Sequence, residues 1–389
     1  MRSVSTGRAA GSSSLVTLGL TLLILLLAAP VLGAEPQASE TCGLCHRDIY
    51  TMWKGSAHAR SMESLIFQEA LGRVRKEHGP ASARVCLGCH APILQVSSDA
   101  ALRQKATWEG VSCEVCHSLA AVDPGVGTGT PKLVFDLGEV KRGPIRDTVS
   151  TGHEVAFSEL HTQALACAGC HEYVNPEGVR ILATFSEWKQ STASRQGTTC
   201  QSCHMGRTAA NVVDPRVLRV SGAVVNVHEV PGGHSLAQLH KALSATIEAQ
   251  RPGNELALVI RLTNKGAGHA VPTGMPGRRL ILRVEVSTSS GATFKAERTY
   301  GRFFKDAAGE AITHDDGYFE AGVKEVSDSR LRPDERRLES FKFPVPAADT
   351  AYVTLTMLYE HAPLGGPEGR SRLTFLTEKR IVRPRPAGR

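Results

Sequence analysis

The stretch Cys42-Gly43-Leu44-Cys45-His46 decides the fold, because its Cys-x-x-Cys-His pattern returns four times further along the chain. The five copies use all ten cysteines of the 389-residue sequence. This pattern is the attachment signature of c-type haem. The motif residues are Cys42, Cys45 and His46; Cys86, Cys89 and His90; Cys113, Cys116 and His117; Cys167, Cys170 and His171; and Cys200, Cys203 and His204.

In such a motif the two thiols bond to the porphyrin and the adjacent histidine binds the iron. A zinc site would not need a histidine after every cysteine pair. A disulfide framework would not place each pair at one identical short spacing. The sequence therefore predicts five covalently bound haem c groups, with the motif histidines as iron ligands.

Composition agrees with a core built partly from cofactor. Aromatic residues make up only 5% of the chain, and buried porphyrin supplies apolar surface in their place. The formal net charge of +7 is offset by the propionates that haem brings. The charge therefore indicates no nucleic-acid binding.

The first 34 residues are typical of a signal peptide. Arg2 and Arg8 precede an apolar run over Leu15 to Ala29, and Gly33 and Ala34 are small residues suited to cleavage. An uncleaved membrane anchor is the alternative, although the run is short for a span. No later run has spanning length, so we expect no transmembrane span in the mature chain. Export places the protein in the periplasm, at the cell surface or outside the cell.

The rest divides by composition into a cysteine-bearing part, 35–249, and a cysteine-free part, 250–389. In the first part, apolar spacing predicts helices over Ser61 to Glu77 and Ser235 to Gln250. The stretch from Val122 to Gly143 is rich in Gly and Pro and is expected to be a loop. We expect this part to be mostly helical or irregular and wrapped round five haems.

The second part alternates apolar and other residues with period two, which is typical of strands. An α + β chain is therefore predicted, in which an immunoglobulin-like β-sandwich with a basic tail (Arg383 to Pro386) follows the haem domain. The runs of alternation are Leu256 to Leu262, Leu280 to Val286, Phe341 to Val345, Tyr352 to Tyr359 and Leu373 to Leu376.

Ten histidines outside the motifs could supply the second axial ligand of each iron. Methionine is a poor competitor because few remain after the signal peptide. The settings of five favour ligation; His269, for example, lies in a Gly-rich loop that could approach a porphyrin closely. The favoured residues are His58, His153, His228, His234 and His269. The others are His78, His161, His240, His314 and His361.

Four segments resemble multihaem cytochromes c of the cytochrome c-554 class, which is related to hydroxylamine oxidoreductase and the pentahaem nitrite reductases. They are CGLCHRDIYTMWKGSAHARSM, WEGVSCEVCHSL, CAGCHEYVNPEGV, and SEWKQS with TCQSCHMG. HEVPGGHSLAQL and NKGAGHAVPTGMPGRRL resemble members that carry an appended β-sandwich. The resemblance implies closely stacked haems that pass electrons. It also implies that His58 serves a haem other than the one at Cys42, and that His153 serves an early haem.

The chain departs from the catalytic relatives in two respects. It has no Cys-x-x-Cys-Lys motif, and five motifs cannot supply the eight haems of hydroxylamine oxidoreductase. Electron transfer through mostly bis-histidine, low-potential haems is therefore favoured over catalysis, with a quinol-linked donor or other cytochromes as partners. The alternative is an enzyme that acts on a small nitrogen or sulfur compound at one five-coordinate haem. A third hypothesis makes the sandwich a module that docks the cytochrome into a larger conductive complex.

Overall fold

The computed structural model describes residues 1–7, 34–123, 127–219, 224–361 and 372–384. The predicted apolar run of the signal peptide, Leu15 to Ala29, and the end of the basic tail lie outside these residues. Pro36–Arg389 forms one compact unit. In the described ranges, no helix has both the length and the apolar character needed to cross a membrane.

The motif-bearing part of the chain is built mostly from short helices and irregular segments, as predicted. The longest helix, Leu65–His78, begins after Ser64, whose Oγ accepts a hydrogen bond from the Phe67 N–H, and it ends at Gly79, where φ is +83°. This confirms the helix expected over Ser61 to Glu77. The helices are α1 Ser39–Gly43, α2 Arg47–Lys54, α3 Leu65–His78, α4 Ala83–His90, α5 Lys105–Trp108, α6 Cys113–His117, α7 Leu165–His171, α8 Thr184–Lys189, α9 Thr192–Arg195, α10 Cys200–His204 and α11 Leu236–Ala242, with 3-10 turns at Pro92–Gln95 and Glu159–Thr162.

Four two-stranded sheets lie between these helices. Three are antiparallel, and the pair of Lys141–Gly143 with Val155–Phe157 is parallel. The expectation of a loop over Val122 to Gly143 was wrong in part, because Lys132–Phe135 pairs with Leu119–Asp123. The strands are β1 Leu119–Asp123, β2 Lys132–Phe135, β3 Lys141–Gly143, β4 Val155–Phe157, β5 Tyr173–Val174, β6 Arg180–Leu182, β7 Arg207–Ala209 and β8 Val224–Asn226.

The C-terminal part forms two larger antiparallel sheets and a hairpin. In the three-stranded sheet Leu256–Asn264 lies between Arg336–Phe343 and Leu243–Gln250. The order in the four-stranded sheet is Thr293–Tyr300, Arg279–Thr288, Ala351–Glu360 and Arg372–Val382, while Arg302–Lys305 pairs with Lys324–Asp328. All five predicted strand segments lie within or overlap these strands. The strands are β9 Leu243–Gln250, β10 Leu256–Asn264, β11 Arg279–Thr288, β12 Thr293–Tyr300, β13 Arg302–Lys305, β14 Lys324–Asp328, β15 Arg336–Phe343, β16 Ala351–Glu360 and β17 Arg372–Val382, with a 3-10 turn at Asp315–Phe319.

The helix predicted over Ser235 to Gln250 was wrong in its second half. The helix α11 ends at Ala242, and β9 begins at Leu243 and pairs with β10. Leu239, Leu243 and Ile247 fit a four-residue helical spacing, but Ala245 is buried as well, so Leu243, Ala245 and Ile247 also follow a strand alternation. The pairing with β10 decides in favour of the strand.

One hydrophobic cluster joins the two larger sheets. It contains Ile260 and Phe341 from the three-stranded sheet and Leu282 and Leu355 from the four-stranded sheet. A second cluster joins β5 and β6 to the C-terminal hairpin, where Ile181 packs with Phe304 and Tyr318. The C-terminal strands therefore share buried surface with the motif-bearing segment.

Candidate haem sites

Each Cys-x-x-Cys-His motif is wound into a helical turn. Helices α6 and α10 begin at Cys113 and Cys200, and α4 and α7 end at His90 and His171. At the first motif the His46 N–H donates to the Cys42 carbonyl at 2.8 Å, which continues the turn beyond α1. In a helix, residues i, i+3 and i+4 lie on one side. Both thiols and the imidazole of each motif therefore start from one face, as covalent attachment and iron ligation require.

Cysteine side chains from different motifs lie against each other. Cys42 hydrogen-bonds to Cys113, Cys89 to Cys170, and Cys167 to Cys200. These contacts place the first motif beside the third, the second beside the fourth, and the fourth beside the fifth. The pKa values of Cys167 and Cys170 are raised by the hydrogen bonds to Cys200 and Cys89, by burial, and by the nearby Cys116 of the third motif.

Four of the five motif histidines face another histidine, and the distance between the two ring centres is nearly the same in each case. The ring centres are 6.1 Å apart for His46 and His153, 6.4 Å for His171 and His58, and 6.2 Å for His204 and His269. His117 faces both His161 at 6.1 Å and His228 at 6.5 Å. A metal–imidazole bond is about 2 Å long, so two imidazoles on opposite sides of one metal have centres roughly 6 Å apart. The observed separations fit an iron between the rings.

The hydrogen bonds of seven imidazoles fix which nitrogen is free. In each, Nδ1 lies 2.6–2.9 Å from a backbone carbonyl oxygen, which can only accept, so Nδ1 carries the proton and Nε2 keeps its lone pair. Among the motif residues, His46 donates to the Val212 carbonyl, His90 to that of Ser61, His117 to that of Arg142 and His204 to that of Pro231. Outside the motifs, His153 donates to the Glu154 carbonyl, His228 to that of Asn226 and His269 to that of Ala270.

His161 has the opposite arrangement. Its Nε2 donates to the Cys116 carbonyl at 2.8 Å, and its Nδ1 is buried without a hydrogen-bond partner. Of the two histidines that face His117, only His228 shares the free Nε2 of the motif residues. From the sequence, His161 was not among the histidines favoured as iron ligands. The only sequence feature that could have drawn attention to it is its position shortly before the fourth motif.

Burial favours the neutral form of five of the facing imidazoles. It lowers the pKa of His117 to about 4 and that of His171 to about 3. Burial also lowers the pKa values of His58, His228 and His269. A neutral imidazole is the form that binds a metal. The donor set thus fits haem iron in both protonation and spacing.

His90 of the second motif differs from the other four motif histidines. The Phe67 ring lies parallel to its imidazole, with the centres 3.6 Å apart and the planes at 4°. Among the residues that the structure describes, which include all fifteen histidines, none faces His90 at the separation of the other pairs. The predicted ligand His234 faces no motif histidine within the same described ranges. Burial lowers the pKa of His234, and the positive charges of Arg278 and Arg60 lower it further.

Known proteins match both the sequence and the fold. Residues 41–118 match the family model described as cytochrome c554 and c-prime. Cytochrome c-554 of Nitrosomonas europaea is 26% identical over 163 residues, which cover 40% of this chain and 62% of that protein. The fold resembles that of a penta-heme cytochrome c552 from Thermochromatium tepidum, with a TM-score of 0.68, 22% identity, and coverage of 90% of this chain and 100% of that one.

The Cys-x-x-Cys-His turns and the facing imidazoles form the arrangement that a c-type cytochrome uses to hold haem. More particularly, the chain is similar in sequence to cytochrome c-554 and in fold to a solved penta-heme cytochrome. The match spans 62% of the length of the curated relative.

Proposed function

We propose that the protein is an exported pentahaem cytochrome that transfers electrons between redox partners. The observation that carries this proposal is the set of facing imidazoles at 6.1–6.5 Å, each beside a cysteine pair of the attachment motif. Five motifs that use all ten cysteines support the count of five haems. The fold match to a protein whose title calls it penta-heme agrees with that count.

The geometry favours four bis-histidine irons. The proposed pairs are His46 with His153, His171 with His58, His117 with His228, and His204 with His269. None includes methionine, the axial ligand that raises the potential of cytochromes c, so low reduction potentials are expected. His234 stays a prediction from sequence that these pairs do not use.

The cysteine contacts suggest the order of electron transfer. They run from the first motif to the third and from the fourth to the fifth, and Cys116 lies near the fourth. The second motif joins through the contact between Cys89 and Cys170. We infer a main path through haems one, three, four and five, with haem two as a branch at haem four. A quinol-linked donor or another cytochrome would supply electrons at one end.

The C-terminal strands have a structural role in this proposal. Two sheets that share one hydrophobic cluster are compatible with the predicted immunoglobulin-like sandwich over residues 250–389. That part would hold His269 against the fifth haem. The part over 35–249 would hold all five haems, and residues 1–34 would direct export to the periplasm or cell surface.

Intact mass and electron paramagnetic resonance (EPR) of the purified mature protein test this function. We expect five covalent haems by mass and four low-spin ferric signals. Fewer than five covalent haems would overturn the count. Failure of the protein to exchange electrons with small cytochromes or quinol analogues would overturn electron transfer as its role.

A second candidate function rests on His90. Because no histidine faces it among the described residues, an iron bound there would keep one position free for a small nitrogen or sulfur compound. The branch position at the fourth motif would supply electrons for its reduction. Carbon monoxide added to reduced protein should then bind promptly at one haem per chain. Turnover of nitrite or hydroxylamine would favour catalysis, and carbon monoxide binding without turnover would favour electron transfer alone.

A further inference from the structure

We infer that Glu187 is a positioning residue that holds His269 in place as an axial ligand of the fifth haem. This inference rests on the proposed ligation by His269. Glu187 lies in α8, in the motif-bearing segment, whereas His269 lies in the loop between β10 and β11. The Glu187 side chain is 13% exposed. Its carboxylate makes three polar contacts, and all three partners belong to the C-terminal part.

The first two contacts are with the His269 loop itself. The Ala270 N–H donates to Glu187 Oε2 at 3.1 Å, and the Thr273 hydroxyl donates to the same oxygen at 2.8 Å. The Ala270 carbonyl in turn accepts from His269 Nδ1 at 2.9 Å. Ala270 is therefore held on one side by Glu187 and orients the imidazole on the other.

The third contact is a buried ion pair. Arg330 Nη1 lies 2.6 Å from Glu187 Oε1, and the Arg330 side chain is 8% exposed. Arg330 also pairs with Asp328 at 2.8 Å, and it follows β14 closely. Next to it, Leu331 exchanges two backbone hydrogen bonds with Val271 of the loop. Glu187 thus contacts both the His269 loop and the segment after β14 that is hydrogen-bonded to this loop.

A short path connects Glu187 to the fifth motif. The neighbouring Trp188 donates from Nε1 to the Thr198 carbonyl at 2.8 Å, just before α10 begins at Cys200. Side chains of the C-terminal part also hydrogen-bond to the backbone of the loop: Asn264 donates to the His269 carbonyl and Arg330 donates to the Pro272 carbonyl.

Glu187 ties the loop to the segment carrying His204 together with Thr184, whose hydroxyl lies 2.9 Å from that of Thr273. Of these two residues, Glu187 is the one that contacts Ala270, the residue that orients the His269 imidazole. Removal of a group that supports a metal ligand through hydrogen bonds commonly lowers metal affinity by about 10–100-fold.

Four variants of the full, haem-loaded protein test the inference. His269→Ala should convert one low-spin ferric haem to high spin. Glu187→Gln removes the charge opposite Arg330. Thr273→Val removes one donor to Glu187 together with the hydroxyl contact to Thr184. Both Glu187→Gln and Thr273→Val should weaken the low-spin signal that His269→Ala removes. In both variants cyanide should bind that haem about 10-fold more tightly than in the unmodified protein. Glu325→Gln is the matched control, because Glu325 also pairs with a buried arginine, Arg302, that bonds to carbonyls of β6.

The outcomes separate the two proposals. If His269→Ala leaves all low-spin signals intact, ligation by His269 is wrong and the role of Glu187 falls with it. If His269→Ala removes a signal but Glu187→Gln and Thr273→Val leave it and its cyanide affinity unchanged, only the role of Glu187 is wrong. If Glu325→Gln has the same effect as Glu187→Gln, the cause is loss of docking in general, and the specific role of Glu187 is overturned.

Discussion

The imidazole rings of His58 and His171 lie 6.4 Å apart with their planes at 57°. His153 is tilted against His46 by 52°, whereas His269 lies within 15° of parallel to His204 and His228 within 20° of parallel to His117. The angle between two axial imidazoles sets how strongly the iron d orbitals split. The proposed haems therefore fall into two tilted and two near-parallel pairs.

His58→Ala should remove one of the two highly anisotropic low-spin signals that tilted imidazoles produce. The rhombic signals of the near-parallel pairs should remain, because His58 faces the fourth motif and neither the third nor the fifth. Low-temperature EPR of the oxidised protein measures this. His78→Ala is a suitable control, since that residue ends α3 and pairs with Glu320 at the surface. Loss of a rhombic signal in the His58 variant would contradict the pairing.

The exact pairing of the histidines could not be predicted from the sequence, although the resemblance implied that His58 serves a haem other than the one at Cys42 and that His153 serves an early haem. The motifs, their cysteines and the proximal histidines follow from local spacing, and the strands follow from alternation. In contrast, His58 stands near the first motif but faces the fourth, because a chain wrapped round several cofactors brings distant segments together. The motif at His90 carries no local sign that distinguishes it from the other four. Glu187 lies in the segment SEWKQS that resembles multihaem cytochromes c, but nothing in that segment indicates its contact with Ala270.

His228→Ala should remove a rhombic low-spin signal, and His161→Ala should not. Both rings face His117, but His228 has a free Nε2, whereas His161 donates from Nε2 to the Cys116 carbonyl. His161→Ala should at most shift the potential of that haem, because the motif loses one hydrogen bond. EPR and a redox titration of the two variants distinguish these cases. The reverse result would assign the iron to the buried Nδ1 of His161.

Leu282→Ala should lower the free energy of unfolding by about 2–5 kcal/mol, because its side chain is fully buried where the two larger sheets share one cluster. Leu338→Ala is the control in another strand, β15, where the side chain is 59% exposed, and it should cost no more than about 0.5 kcal/mol. Denaturant unfolding followed by far-UV circular dichroism measures both. Equal effects would mean that the cluster does not stabilise the protein.

Substitution of Gly268 by a larger residue should disturb the fifth haem by steric displacement of the His269 loop. A Cβ at Gly268 would lie 3.0 Å from Ala193 Cβ and 3.3 Å from Trp188 Cδ1, so the His269 loop packs directly on α8 and α9. Gly268→Ala needs a shift of a few tenths of an ångström, and the branched side chain of Gly268→Val needs more. We therefore expect a progressive loss of the rhombic signal assigned to His204 and His269, partial in the alanine variant and near complete in the valine variant. Gly72→Ala, where a Cβ meets nothing within 4 Å, should leave every signal unchanged. Full retention of that signal in Gly268→Val would show that the close packing of this loop does not hold His269 in place.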